Sequence, residues 1–125
     1  MILDTNAVSA LFVGDAALER LLAVGPRHEL PVIVIGEYRY GLARSRARRT
    51  LLPLLETLID ESTVLEIGPR TAEVYAQVRE RLRAAGTPIP ENDVWISALA
   101  IEHGLDLVSR DTDFDRVAGL RRRSW

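Results

Sequence analysis

The residues of this sequence best suited to chemistry are acids: Asp4, Glu37, Asp93 and Asp111, with Asp113 and Asp115 close to the last. Carboxylates at hydrogen-bonding range repel one another, which raises their pKa values unless a cation compensates. Mg²⁺ and Mn²⁺ prefer oxygen ligands and keep several waters, so a few carboxylates suffice to hold one. Such ions activate water, neutralise a phosphodiester and stabilise a leaving oxygen, the more so as a pair about 3.5–4 Å apart. The composition closes most other routes. There is no Cys, so disulfides, thiolate metal sites and a cysteine nucleophile are excluded, and two His, His28 and His103, cannot build a three-histidine zinc site. All 16 basic residues are Arg, which removes Schiff-base chemistry, a Ser–Lys dyad and the lysine of a phosphate-binding Gly-rich loop.

To act together, these acids must be brought to one place by the elements between them. With 125 residues, 47% of them hydrophobic, the chain suits one domain over 1–125 with a real core. Ile2-Leu3 is a short strand, cut off by the helix-capping types Asp4-Thr5-Asn6. Residues 7–12 and 16–24 read as helical, with Gly25-Pro26 as the stop. A very short strand falls near 30–32, limited by Pro31, and a helix carrying Glu37, Tyr38 and Tyr40 follows. A second helical stretch covers 43–60, and 62–67 alternates as a strand ended by Gly68-Pro69. Residues 71–85 form the clearest amphipathic helix, with Val74, Tyr75, Val78 and Leu82 on one stripe. After the extended Pro88-Ile89-Pro90, Asn92 or Asp93 caps a helix through His103, closed by Gly104. A buried strand at 105–109, a helical turn at 113–118 and an extended segment at 120–125 complete the chain.

Strands alternating with helices imply an α/β fold with a parallel sheet covered on both faces. Ligands in such sheets bind beyond the carboxyl ends of the strands. This topology sends Asp4, Glu37, Asp93 and Asp111 to that end. Each acid also has a plainer reading. Asp4 and Asp113 can cap the helical segments after them, and Asp93 falls in a first helical turn, where negative charge gains roughly 0.3–1 kcal/mol. Glu37, beside the apolar residues 32–35, is the hardest to explain as structure. Joint placement carries more weight than any one residue.

Four blocks in order and spacing carry a family resemblance: Asp4-Thr5-Asn6 after an apolar start, Glu37 followed by Gly41, Asn92-Asp93-Val94-Trp95-Ile96, and Ser109-Arg110-Asp111-Thr112-Asp113-Phe114. They resemble the PIN-domain ribonucleases, and especially the VapC toxins of VapBC toxin–antitoxin pairs, over essentially the whole chain. The resemblance implies a PIN-like three-layer α/β fold, a short central parallel sheet flanked by helices on both faces. It implies that Asp4, Glu37, Asp93 and Asp111 bind Mg²⁺, for which Mn²⁺ can substitute, and activate water to cut RNA, leaving 5′-phosphate and 3′-hydroxyl ends. Asp4 and Asp93 match the principal ligands, Asp111 assists directly or through water, and Glu37 is a ligand or orients the attacking water. Asp113 matches an accessory acid, Ser109 stands where the family commonly has Thr, and Thr5 and Asn6 are candidates to hold Asp4. The implied partners are an RNA substrate, a small VapB-like antitoxin that blocks the acidic cleft with a basic side chain, and a second copy of the chain in a homodimer.

The net charge of −2 is unlike that of a protein holding nucleic acid by bulk charge, so positive charge must be local or come from metal. Arg44, Arg46, Arg48 and Arg49 are the densest basic run, either a solvated helix face or a phosphate-contacting patch on the RNA path. Arg121-Arg122-Arg123 divides the same way, with a charged edge strand as its plainer reading. Leu51, Leu52, Leu54, Leu55, Leu58 and Ile59 cover more of a helix than one core face needs, which leaves room for a partner surface. Trp95 and Trp125 read as core or interface residues rather than base-stacking platforms. No apolar run approaches the roughly 18–20 residues of a membrane span, and no basic-then-apolar leader opens the chain, so a soluble cytoplasmic protein is expected. Two rival readings share the acidic pocket. A receiver-like phospho-acceptor domain requires an active-site Lys that this chain lacks, and a catalytically silent PIN-fold scaffold sits poorly with an intact quartet.

Overall fold

The computed structural model describes residues 1–25 and 27–125. Five strands, β1 (Ile2–Leu3), β2 (Glu29–Pro31), β3 (Thr63–Leu65), β4 (Leu107–Val108) and β5 (Arg122–Arg123), form one sheet in the order β3-β2-β1-β4-β5. Every neighbouring pair is parallel. Strands this short make few ladder bonds, so burial has to hold them. Ile2, Leu3, Leu107 and Val108 are all fully buried, in the register Ile2↔Leu107 and Leu3↔Val108.

The helices among the described residues are α1 (Thr5–Phe12), α2 (Ala16–Leu22), α3 (Val32–Leu42), α4 (Arg48–Glu61), α5 (Pro69–Ala84) and α6 (Glu91–His103), with a 3₁₀ turn at Thr112–Arg116. The chain steps outward from β1 to β3 and then returns past β1 to β4. Right-handed crossovers therefore put α1–α4 on one face and α5–α6 on the other. One apolar cluster joins the strands to Val8, Leu18, Val34, Ile96 and Leu99, and a second packs Val74, Val78 and Leu82 of α5 against Val94 and Ala98 of α6. Helix α6 is buried from Val94 through Ala100 except at Trp95, because it faces both clusters.

Several element boundaries differ from the sequence reading. Helix α3 begins at Val32, directly after Pro31, whose φ of −61° and ψ of 139° end β2 and start the helix. Val32 is exposed rather than buried. Residues 43–47 form a turn, so α4 starts only at Arg48 and leaves Arg44 and Arg46 off any helix. The N-cap of α6 is Pro90, and neither Asn92 nor Asp93 caps it. Asp111, not Asp113, caps the 3₁₀ turn, accepting from the Asp113 N–H. Helix α2 stops at Leu22, and of the expected Gly25-Pro26 stop, Pro26 lies outside the described residues. Gly104 closes α6 as expected, with φ 64°.

Phe114 is the bulkiest fully buried side chain and sits within the 3₁₀ turn between Asp113 and Asp115. Phe114→Ala is expected to cost about 3–5 kcal/mol in chemical denaturation. Val24→Ala, at an exposed position, should stay within about 0.5 kcal/mol.

Candidate active site

The connection order reverses between β1 and β4, and in open parallel sheets that crevice is where ligands bind. Asp4 leaves β1 at this point, its N–H donating to the Val108 carbonyl at 3.2 Å. It stands at the N-cap of α1, yet its side chain makes no capping bond. Instead Oδ2 accepts from Ser109 Oγ and Asn6 Nδ2, both at 2.8 Å, and the residue is 6% exposed. Asn6 spans to the other strand as well, with Nδ2 3.0 Å from Ser109 Oγ and Oδ1 accepting from the Arg110 N–H at 3.2 Å. Ser109 Oγ accepts in turn from the Asp111 N–H at 3.0 Å. A continuous hydrogen-bonded chain thus ties the end of β1 to the loop after β4.

Thr5, expected beside Asn6 as a support for Asp4, favours the Asp4 charge through its backbone N–H, while its hydroxyl donates to Glu37 Oε2 at 3.0 Å. The other oxygen, Glu37 Oε1, is buried without a donor. Asp93 enters from the first turn of α6, and one carboxylate oxygen from each of Asp93, Asp111 and Asp113 lies within 4.8 Å of the others. Burial, then the charges of Asp4, Asp111, Glu37 and Asp113, push the Asp93 carboxyl up to about 7. Burial also raises Asp4, reinforced by Glu37 and Asp111 and opposed chiefly by the Ser109 hydrogen bond. Every member of the expected quartet, and Asp113, therefore contributes to one electrostatic site.

Asp115 does not join them. Arg122 grips it with Nε and Nη2 at 2.7 and 2.8 Å, holding its carboxyl below the usual range. Arg122 Nη1 also donates to the Ser109 carbonyl at 3.0 Å, so one guanidinium ties both ends of the loop that bears Asp111 and Asp113. Arg110 pairs with Asp15 at 3.1 Å and lies 4.4 Å from the Trp125 ring centroid, while Trp125 Nε1 donates to Asp15 at 3.0 Å. In the sequence Arg122 reads as part of a basic run and Trp125 as a core or interface residue, neither as a support of this loop. Asp15 was legible as the cap of α2, but nothing local pairs residues 115 and 122. Arg121 and Arg123 both meet Asp106, which makes the 121–123 run an ion-paired edge strand. Trp95 stacks on Tyr75 at 3.8 Å, an internal contact as expected.

All the converging donors are hard oxygens, one of them buried and unpartnered, which fits a divalent cation. The acidic cluster of Asp93, Asp111 and Asp113 is consistent with the metal site of a PIN nuclease.

The PIN domain model matches residues 1–120. Ribonuclease VapC2 of Haemophilus influenzae is 32% identical over 94 residues, covering 74% of this chain and 71% of the relative. Ribonuclease VapC5 of Mycobacterium tuberculosis is 30% identical over 121 residues, 94% of this chain and 87% of the relative. In three dimensions the chain superposes on DNA-bound VapBC from Salmonella typhimurium with a TM-score of 0.88 at 28% identity, covering 99% of this chain and 96% of that one. The chain belongs to the PIN domain family and, within it, to the VapC ribonuclease toxins of type II VapBC toxin–antitoxin systems.

A carboxyl that ordinarily titrates at 3.8 and here does so near 7 binds more protons in the folded than in the unfolded state. Without cation, stability should therefore fall as pH rises from about 4 to about 7 and level off above. Asp93→Asn should flatten that fall and raise the metal-free melting temperature at pH 8 by several degrees. Differential scanning fluorimetry across this pH range measures both effects.

Proposed function

We infer that this chain is a Mg²⁺-dependent endoribonuclease, with Mn²⁺ able to substitute, in which Asp4, Glu37, Asp93 and Asp111 hold the ion and orient the attacking water. The observation that carries the reading is Asp93, whose carboxyl is lifted to about 7 by burial and four surrounding carboxylates. That arrangement is costly unless a cation or proton neutralises it. The bound ion would act as a Lewis acid on the phosphodiester and lower the pKa of water.

The chain's own groups do the positioning. Ser109 and Asn6 occupy one oxygen of Asp4 and fix its direction. Thr5 pins Glu37 Oε2, which leaves Oε1 free to accept from a water or meet the ion. Asp113 flanks Asp111 as an accessory acid, with Arg116 3.4 Å from its carboxylate. Attack by water with breakage of the P–O3′ bond, the course the family resemblance implies, would leave a 5′-phosphate and a 3′-hydroxyl. A VapB-like antitoxin covering the cleft with a basic side chain would neutralise the same charges, and the relative solved as a VapBC complex supports such a partner. The active form is a homodimer acting in the cytoplasm; no helix among the described residues is long and apolar enough to cross a membrane.

Purified, antitoxin-free protein incubated with total RNA should give discrete cuts with Mg²⁺ or Mn²⁺ and none with chelator. Asp4→Ala should abolish them, and cutting that survives either condition overturns the reading. Ser109→Ala, which removes the hydroxyl bridging Asp4 and the Asp111 N–H, should weaken Mn²⁺ affinity by about 10–100-fold in calorimetric titration.

A further inference from the structure

Most arginines of this protein have a structural use. Among the described residues, nine of the 16 are in ion pairs, among them Arg39, Arg110 and Arg122. Arg27 donates to the Glu61 carbonyl, and Arg20 and Arg81, though unpaired, sit in the last turns of α2 and α5, where positive charge suits the helix dipole. Arg44, Arg46, Arg48 and Arg49 are different: all four are exposed, none has a carboxylate partner among the described residues, and none lies in the last turn of a helix. They fall inside residues 38–55, which hold five arginines and no acid, the longest acid-free run in the sequence. The acids bounding that run are engaged elsewhere, Glu37 by Thr5 and Glu56 by Arg39 at 2.5 Å.

A solvated helix face explains this cluster poorly. Arg44 and Arg46 lie in the turn between α3 and α4, where no helix face exists. Arg48 and Arg49 sit in the first turn of α4, where positive charge opposes the helix dipole, and Ala47 offers no side-chain cap. Local stability would favour acids there. Beside the turn, Tyr40 is 70% exposed, and the Arg44 guanidinium lies 5.9 Å from its ring centroid. An open cleft of about 510 Å³ borders Arg48, Arg49, Leu52, Pro53 and Glu56, the last with its charge met by Arg39.

We propose that the α3–α4 turn is the docking surface for the phosphate backbone of single-stranded RNA, with Arg44, Arg46, Arg48 and Arg49 meeting phosphates and Tyr40 stacking a base. The proposal rests on the ribonuclease reading and adds how the substrate is held. A net-acidic protein with five converging carboxylates repels a polyanion at the site of reaction, so attraction must come from a separate surface. The turn supplies it within reach, since Arg44 is seven residues beyond Glu37, about 10 Å at the helical rise. Guanidinium forks match phosphate oxygens, and an exposed aromatic face takes any base. The aromatic partner favours RNA over an acidic peptide.

Fluorescence anisotropy with a labelled mixed-sequence single-stranded oligoribonucleotide, in chelator and across 50–200 mM salt, tests this surface. The variant carrying Arg44→Gln, Arg46→Gln, Arg48→Gln and Arg49→Gln should bind at least about tenfold more weakly at low salt. Its slope of log K against log salt should be shallower by about 2–3, the loss expected for four phosphate contacts on a single strand. Tyr40→Ala should weaken binding by roughly fivefold or more. Mn²⁺ titration should match the wild type in both variants and melting temperature should be no lower, the fourfold variant gaining slightly from relief of the α4 dipole. Together these readouts show that fold and carboxylate site are intact. Unchanged RNA affinity and salt slope in the fourfold variant overturn the proposal. So does displacement of the RNA by a polyglutamate peptide at equal charge concentration, which would mark the turn as a surface for acidic protein. Wild-type protein that cuts RNA while the fourfold variant binds as it does removes this surface alone. Wild-type protein that neither binds nor cuts removes the ribonuclease reading as well.

Discussion

The Asp4 carboxylate, buried where β1 meets α1, is the constraint on which the rest of this structure turns. A carboxylate out of water needs donors or a cation, and besides the adjacent Thr5 backbone its neighbours supply two side-chain donors, Ser109 Oγ and Asn6 Nδ2. Both depend on β1 and β4 lying side by side. Two strands of two residues each cannot enforce that through backbone hydrogen bonds alone. The fully buried side chains of Ile2, Leu3, Leu107 and Val108 do it by locking the register into the core. Apolar packing thus holds together a polar arrangement that opposes folding. Like-charge repulsion among the acids is the local cost of a site ready for a cation.

The loop from Ser109 to Asp115 shows how such a site is kept in place. Its carboxylates repel Asp93 and Asp4, so left alone the loop would swing outward. Arg122 holds it at the Ser109 carbonyl and at Asp115. Arg110 is anchored outside by Asp15 and Trp125, and Phe114 drives the turn into the core. The positive charges nearest the cluster are committed to structure. A cluster of four uncommitted ones lies on the α3–α4 turn, which separates attraction of a polyanion from the chemistry performed on it.

Much of this was legible beforehand. The alternation of strand and helix, the amphipathic stripe of α5 and the αL closure at Gly104 are local signals, and the structure carries each of them. The acids were found because a parallel sheet sends its strand ends to one edge. Roles that depend on side-chain direction were harder. Asp4, Asp93 and Asp113 all occupy positions where capping is the usual use of an acid, yet none makes the capping bond. Thr5, adjacent to Asp4, meets it only through the backbone and turns its hydroxyl to Glu37. Asp115 looked like another member of the cluster until Arg122, seven residues on, took it. Of the leucines on α4, Leu55 and Leu58 are buried while Leu54 remains exposed, a division that helical spacing alone did not resolve.

What the sequence by itself determined is the chemistry available: hard oxygen donors with neither thiol nor amine, an alternating α/β order, and four acidic blocks in the spacing of one family. Those properties are local or compositional, and a linear reading captures them. Tertiary structure alone decided which acids meet, which oxygen of each is occupied and which arginines are already spent. Hydrogen bonds and charge repulsion act over a few ångströms. Asp4 and Ser109 come within 2.8 Å only after a hundred intervening residues have folded around the core that joins their strands.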